Sequence, residues 1–440
     1  MTSLFSNLFP DADKTAWLTQ VQKELKSENA YDSLRWKTDE GFVLEPYYTA
    51  DELNGLPLDT VQAAQKSTAG WLNTPEYRIT DEKADNALLR SALTQGADAL
   101  ILNLPASSVN VSQLLNGIKL SDTPVFFRLT TDQTDFIRLL KTVAPYQLKG
   151  GLLANGRDIT PDVTRLTIDS SQFRTVCVSS QAFHNAGATA TQELAFTLSS
   201  LVDTYDKLTE TGLTLAQLVP KTMLSISVGT SYFPEIAKLR ALRVLVVRLL
   251  TAYEFSAVIS PFIHAQTSTF YDATVTPYTN LIRATTEAMA AVIGGCDVLT
   301  VHPYDTVLNQ PTGSPNRNFA DSIARNVSLL LKEESYLNKV ADPAGGSYYV
   351  ENLTYQFVET AWRLFLDVEK RGGLTKALAD GFVQQEIERS YQAKVAAVRT
   401  GKVLVGVTRF RSDELSDQPN PASGATMSLL PDRRLAEEFE

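Results

Sequence analysis

From Tyr77 to His302 short β-rich runs alternate with longer helical runs, and this alternation constrains the fold more than any other feature. The runs Tyr77–Thr80, Ala99–Leu104, Pro124–Leu129, Gly150–Asn155, Arg174–Ser179, Met223–Val228, Ala257–Gln266 and Asp297–His302 read as strands. Helices are expected over Asn86–Thr94, Asp135–Val143, Thr191–Thr209, Pro234–Tyr253 and Tyr278–Ile293, with Ala320–Glu333 after the last strand. In the helix from Pro234, the residues Ile236, Leu239, Leu242, Val246 and Leu250 recur at steps of three and four, a stripe that faces a core. Eight strand–helix units in about 250 residues predict an α/β fold of the (β/α)8, or TIM, barrel type. An open doubly wound sheet is the competitor, but it rarely reaches eight regular units. No glycine-rich phosphate loop follows the first strand.

The barrel is expected over residues 77–335. Residues 1–76 read as an extended aromatic arm that packs on its own domain or on a partner. A helix is plausible from Lys14 to Leu25, with Trp17, Val21 and Leu25 on one face. After the barrel, residues 336–410 form a C-terminal helical extension, with helices at Leu353–Lys370 and from Thr375 to about Val398, then a short strand at Leu404–Arg409. Residues 411–440 read as a linker, ending in Arg433–Glu440, which looks like the start of a helix.

Charge and composition exclude several functions. A net charge of −10, without a Lys/Arg cluster, argues against nucleic acid. The most apolar stretch, Val244–Leu250, is broken by Arg248 and is far short of the roughly 20 residues a membrane span needs. The N-terminus lacks the basic and apolar regions of a secretory signal. The two cysteines, Cys177 and Cys296, sit in or beside apolar runs, which fits buried thiols and a cytoplasmic location. No C-x-x-C, H-E-x-x-H or G-x-S-x-G pattern occurs, so neither a metal site nor a serine nucleophile elbow is expected.

The strands contain unusual polar residues. A filled barrel is lined mainly by Val, Ile and Leu. Here Ser225 and Ser227 share a face, Ser179 and Ser180 end a strand, and His264, Gln266 and Ser268 alternate. These faces either line a polar barrel interior or point into loops at its C-terminal mouth.

Several motifs resemble the methylmalonyl-CoA mutase family. Asn280–Gly295, NLIRATTEAMAAVIGG, is similar to the family's N-x-x-R-T…E-A-M-A-A-V-x-G-G stretch. His264–Ser268 (HAQTS), Ser322–Asn326 (SIARN), Asp342–Tyr348 (DPAGGSY), Asn185–Thr189 (NAGAT), Ile236–Arg240 (IAKLR) and Val405–Val407 (VGV) also match in family order, over roughly residues 180–410. The resemblance implies a barrel threaded by a coenzyme A ester. It also implies that His264 stands where a catalytic histidine stabilises the substrate carbonyl. Gln266, Ser268, Ser225 and Lys221 are the candidate substrate contacts, with Lys221 where the family places a carboxylate-gripping arginine. Lysine lacks the planar fork for that grip.

The departures are as informative as the matches. Catalytic chains of the family carry a flavodoxin-like cobalamin domain with a D-x-H-x-x-G motif, whose histidine ligates cobalt. The only histidines here, His184, His264 and His302, lie in the barrel region and in no such motif, so this chain is expected to lack that domain. The family's T-M-Y…R-P-W-T-I-R-Q-Y stretch corresponds to Gly70–Thr80, GWLNTPEYRIT, without its tyrosine and arginines. Ala182 occupies a family histidine position, and Thr300 another. His184 and His302 then read as packing or surface groups, and Asp342, Gly345 and Gly346 as a turn.

The resemblance therefore implies a small, non-catalytic subunit of a heterodimeric mutase. It would bind the large catalytic subunit through Trp17, Tyr31, Trp36, Tyr47 and Tyr48, since aromatic residues dominate interface energies. Adenosylcobalamin would be held by the partner, with no cofactor or metal on this chain. Two alternatives remain from sequence: a barrel-only catalytic subunit served by a separate cobalamin protein, and an acyl-CoA binder without chemistry. The terminal RRLAEEFE also resembles the lead into a second domain of longer small chains.

Overall fold

The computed structural model describes residues 13–25, 31–105, 109–129, 132–153, 159–257, 259–308, 315–411 and 429–440. Eight parallel segments form its centre: β1 (72–78), β2 (Leu100–Asn103), β3 (Val125–Arg128), β4 (Gly150–Leu152), β5 (173–179), β6 (Thr222–Val228), β7 (Ile263–Thr267) and β8 (Val298–Thr300). β1 and β5 each serve two sheets. Leu72–Asn73 pairs with β8, whereas Glu76–Arg78 pairs with β2. Phe173–Arg174 pairs with β4, and Val176–Ser179 with β6. The changeover in β1 falls at Pro75, which has no N–H to give: Thr74 N still donates to Leu299 O, and Pro75 O already accepts from Ile101 N. Two five-stranded parallel sheets thus follow one another from β1 to β8 around a ring joined by the chain itself. This is the expected (β/α)8 barrel.

Strand phase follows from packing. Leu224, Ile226 and Val228 of β6 pack outward against the helix layer. Met223 instead joins Ala99, Ile101, Phe126, Leu153, Cys177 and Val298 in an inner cluster that Leu72 and Phe262 also touch. By alternation, Ser225 and Ser227, His264 and Gln266, and Thr300 face the interior as well. The interior is therefore apolar in its lower half and polar toward the C-terminal mouth. The inner-cluster side chains are buried to within 5% of completely, so the axis is filled. That corrects the expectation of a barrel threaded by a coenzyme A ester: Ile101, Phe126, Leu153 and Met223 occupy the channel.

Several element boundaries differ from the sequence reading. The first strand starts at Leu72, five residues before Tyr77, because the Asn73–Pro75 stretch carries ladder bonds that its composition hides. The seventh strand begins only at Ile263 rather than Ala257. Part of the expected Gly150–Asn155 strand lies outside the described residues. Short helices at Val111–Leu114 and Pro161–Leu166 fill the two gaps left between expected strands. The expected helix from Thr375 is two, Leu374–Ala379 and Phe382–Arg399, split where Gly381 takes φ +78. The supposed strand at Leu404–Arg409 is a turn closed by one bridge between Val405 and Arg409.

The extension helix Tyr348–Lys370 lies across the barrel helices Tyr232–Ala252 and Ala190–Thr209. It is tied by Arg240, whose Nη2 donates to both Glu351 oxygens at 2.9 Å and whose Nη1 pairs with Asp342. The arm docks on this helix: Phe42 meets Phe357 with ring centroids 5.4 Å apart, and Tyr48 meets Tyr349 at 5.5 Å. Its helix Lys14–Leu25 buries no residue. Residues 429–440 do not behave as the expected linker. Leu435 and Ala436 are buried, Leu435 N donates to Phe270 O, and Leu435–Glu438 is a single 3-10 turn rather than the start of an α-helix. Residues 412–428 of that segment lie outside the described residues.

Candidate functional site

The polar half of the barrel is the candidate site, because active groups of such barrels sit at the C-terminal ends of the strands. His264 on β7 spans three strands. Its Nδ1 lies 2.9 Å from Ser225 Oγ on β6, and its Nε2 lies 3.0 Å from Thr300 Oγ1 on β8. The Thr300 hydroxyl donates to Thr74 O on β1 at 2.8 Å, so it must accept from Nε2. The network thus assigns the Nε2–H tautomer, with Nδ1 accepting from Ser225. Complete burial, and secondarily Arg128, push the imidazole pKa down to about 3, so the ring is neutral at physiological pH. Both ring nitrogens are committed within the barrel wall.

Next to His264, Gln266 donates from Nε2 to Ser227 Oγ at 3.4 Å, while its buried Oε1 has no partner among the described residues. Across the mouth, Glu76 at the end of β1 accepts from Asn103 Nδ2 at 2.6 Å and pairs with Arg128 Nε at 3.3 Å. Burial opposes ionisation of Glu76, but Arg128, His302 and Asn103 together hold its carboxyl below the usual range. Glu76 Oε2 and Asn103 Oδ1 are also buried without partners among the described residues. Glu76, Asn103 and Arg128 were not singled out from sequence. The signal was available: each is a polar residue near the C-terminal end of a strand.

Ser268 belongs to a second network behind the mouth. Its Oγ is 2.6 Å from His184 Nε2, and His184 Nδ1 is 2.8 Å from Glu193 Oε1. Lys238 Nζ lies 3.2 Å from Glu193 Oε2 and 2.6 Å from Glu235 Oε2, and donates to Ser227 O at 2.8 Å. Burial raises Glu193, yet Lys238 and His184 outweigh it and the carboxyl stays ionised. His184 is therefore a packing group, as its sequence reading holds, but one wired into a buried charge network. Ser268 is 97% buried in the same network, where its Oγ also accepts from Phe270 N at 3.1 Å.

Lys221 requires correction. It precedes β6 at the barrel's base, opposite the mouth, and its Nζ donates to the carbonyls of Thr167 (2.5 Å), Ser170 (2.5 Å) and Phe173 (3.1 Å). Burial pushes its pKa down to about 8. An ammonium held by three carbonyls at the wrong end of the strands cannot grip a substrate carboxylate beside His264. Ala182 lies exposed at the rim, where the family histidine would stand.

Two of the three histidines would also not suit the role of cobalt ligand. His184 and His264 have both ring nitrogens bonded, and His302 lies near Glu76 and His264 inside the barrel mouth. No group of three or more His, Cys, Asp or Glu arranged to hold a metal occurs among the described residues. No helix among them is long and apolar enough to cross a membrane.

The family profile described as methylmalonyl-CoA mutase matches residues 153–429. The methylmalonyl-CoA mutase small subunit of Porphyromonas gingivalis is 31% identical, covering 92% of this chain and 71% of that protein. The probable small subunit of Mycobacterium tuberculosis is also 31% identical, covering 96% of this chain and 75% of that protein. The methylmalonyl-CoA mutase of Cereibacter sphaeroides is 29% identical over 91% of this chain but 64% of its own length, so this chain spans less than two thirds of that relative. Among solved structures, a Xanthomonas albilineans dihydropteroate synthase aligns over 62% of this chain and all of its own, at 11% identity and a TM-score of 0.36. On the profile match and the small-subunit similarities, the chain belongs to the methylmalonyl-CoA mutase family.

Proposed function

We propose that this chain is the small, non-catalytic subunit of an adenosylcobalamin-dependent mutase that interconverts methylmalonyl-CoA and succinyl-CoA, and that it stabilises a larger catalytic subunit. The observation that carries the reading is His264. A histidine that polarises a thioester carbonyl must offer an N–H to it, and here that N–H is given to Thr300 while the other nitrogen accepts from Ser225. The filled axis, with Phe126 and Met223 in the channel, argues in the same direction. The cofactor would be held by the partner, since His184 and His264 have no ring nitrogen left to give cobalt. The exposed aromatic residues of the arm, Trp36 and Tyr47, suit a subunit interface.

Co-expression with the large subunit, followed by size-exclusion chromatography and a mutase assay with added adenosylcobalamin, tests the reading. A 1:1 complex is expected, with turnover that His264→Ala leaves intact. Turnover by the isolated chain with adenosylcobalamin and methylmalonyl-CoA would overturn it. Turnover with a separate cobalamin-domain protein, lost on His264→Ala, would favour the barrel-only alternative.

A further inference from the structure

At the base of the barrel, away from the polar mouth, Arg174 lacks a countercharge. Its guanidinium carbon stands 3.5 Å from the centroid of the Phe262 ring. Its Nε is cut off from solvent without a hydrogen bond, and the described residues give it no ion pair. The carboxylate whose field reaches it, Asp297, is already occupied by Arg243 Nη2 at 2.9 Å, Lys66 Nζ at 3.2 Å and Ile263 N at 2.8 Å. Burial pushes the Arg174 pKa down to about 10, the shift expected of a cation that has lost water and gained too little in return.

The same arginine lines a cavity of 270 Å³. Val219, Leu224, Val246, Ile259 and Phe262 supply apolar walls. Thr222 and Ser260 supply hydroxyls, but Thr222 is engaged with Tyr205 at 2.8 Å and Ser260 with Arg243 at 3.0 Å. Arg174 is therefore the cation that an incoming anion would meet. A cavity of about 150 Å³ holds benzene, so this one has space for a small ring or short chain bearing a charged group.

We propose that this basal cavity is a binding site for a small organic carboxylate, whose charged end pairs with Arg174 and whose apolar body lies against Val246, Ile259 and Phe262. A guanidinium stacked on an aromatic ring presents its edge N–H groups in the fork that a carboxylate accepts. The site is independent of the mouth and of the subunit role proposed above.

Calorimetric titration of the full chain at pH 7 tests it, with sodium benzoate, sodium butyrate and sodium phosphate as probes against sodium chloride at matched ionic strength. Benzoate is expected to bind. Arg174→Met should weaken it at least tenfold without lowering the unfolding midpoint, because the half-buried guanidinium has no hydrogen bond or ion pair among the described residues to lose. Val246→Phe, which keeps the arginine but fills the cavity, should weaken it similarly and decides the matter if Arg174→Met fails to fold. Phosphate binding without benzoate or butyrate binding would overturn the carboxylate assignment. No binding, or binding indifferent to both substitutions, would overturn the site.

Discussion

Lys238→Met tests whether the charge network behind the mouth holds the barrel together. The Lys238 side chain is wholly buried between Glu193 and Glu235, whose side chains are 3% and 8% exposed. Removing one partner of a buried ion pair costs about 3–5 kcal/mol, because the remaining charge is left without compensation. Glu193 would keep His184 at 2.8 Å and Ser180 at 3.2 Å, bonds worth about 1 kcal/mol each, whereas Glu235 Oε2 would lose its ion pair with no hydrogen bond to replace it, so the expected loss falls within that range. The pH dependence has a definite sign. Glu193 is held below its ordinary value in the folded chain, so it contributes stability that is present above about 4.3 and is lost as pH falls through the folded value. Lys238→Met removes the main cause of that depression. Wild type and variant should therefore differ most at pH 6–8 and converge as pH drops toward 3. Urea unfolding followed by circular dichroism across this range measures the gap, provided the slope with denaturant is unchanged. A loss below about 1 kcal/mol at pH 7, or a gap that widens on acidification, would refute the reasoning.

Long-range proton–nitrogen NMR should show His264 as a neutral Nε2–H imidazole down to pH 5, as its depressed pKa of about 3 requires; an imidazolium signal there would contradict the bonding with Ser225 and Thr300. Trp36→Ala should weaken association with a large subunit by at least tenfold, about 1.4 kcal/mol, while leaving the isolated chain's urea midpoint unchanged, since Trp36 is 47% exposed. Asp272, 96% buried, has its pKa raised to about 7 by burial against the opposing pull of Arg283 and Arg434. The folded chain binds a proton that the unfolded one has released, so stability should fall between pH 4 and pH 7 by up to about 4 kcal/mol from this group, and Asp272→Asn should flatten that fall in the urea midpoints.

The barrel was legible because its outward strand faces are apolar and its helices carry stripes: Leu224, Ile226 and Val228 set β6, and Leu239, Leu242 and Val246 set the helix that follows. Where the strands begin was less legible. Leu72–Asn73 is a strand by virtue of its pairing with Val298 and Leu299, a partner more than 200 residues away that local composition does not report. Phase was the decisive gap for function. Ser225, His264 and Gln266 were visible as an odd polar set, but only the ladder register sets His264 opposite Ser225, and only the side-chain geometry brings it to Thr300, whose register partner is Gln266. Lys221 was misread because its alignment to a family position hid the base-end carbonyls of Thr167, Ser170 and Phe173 that hold it. Arg174 gave no sequence signal, since the lack of a countercharge is a property of the fold.

The motifs that carry the resemblance serve the fold more than chemistry. In IAKLR, Lys238 neutralises Glu193 and Glu235, and Arg240 locks the extension through Asp342 and Glu351. In DPAGGSY, Asp342 receives that arginine, and Gly345 is so close to it that a Cβ would stand 2.8 Å from Asp342 Oδ2. In the stretch after Asn280, the asparagine side chain bonds the backbone of Ala273 and Tyr304, and Glu287 accepts from Ser268 N. Buried ion pairs and tight turns fail badly when one member changes, so they persist in a chain whether or not it handles substrate. Family membership therefore rests on residues that would look the same in a catalytic and a non-catalytic barrel. The groups that separate the two are few and local: whether His264 has a nitrogen to spare, whether an imidazole replaces Ala182 at the rim, and whether Phe126 and Met223 leave the axis open.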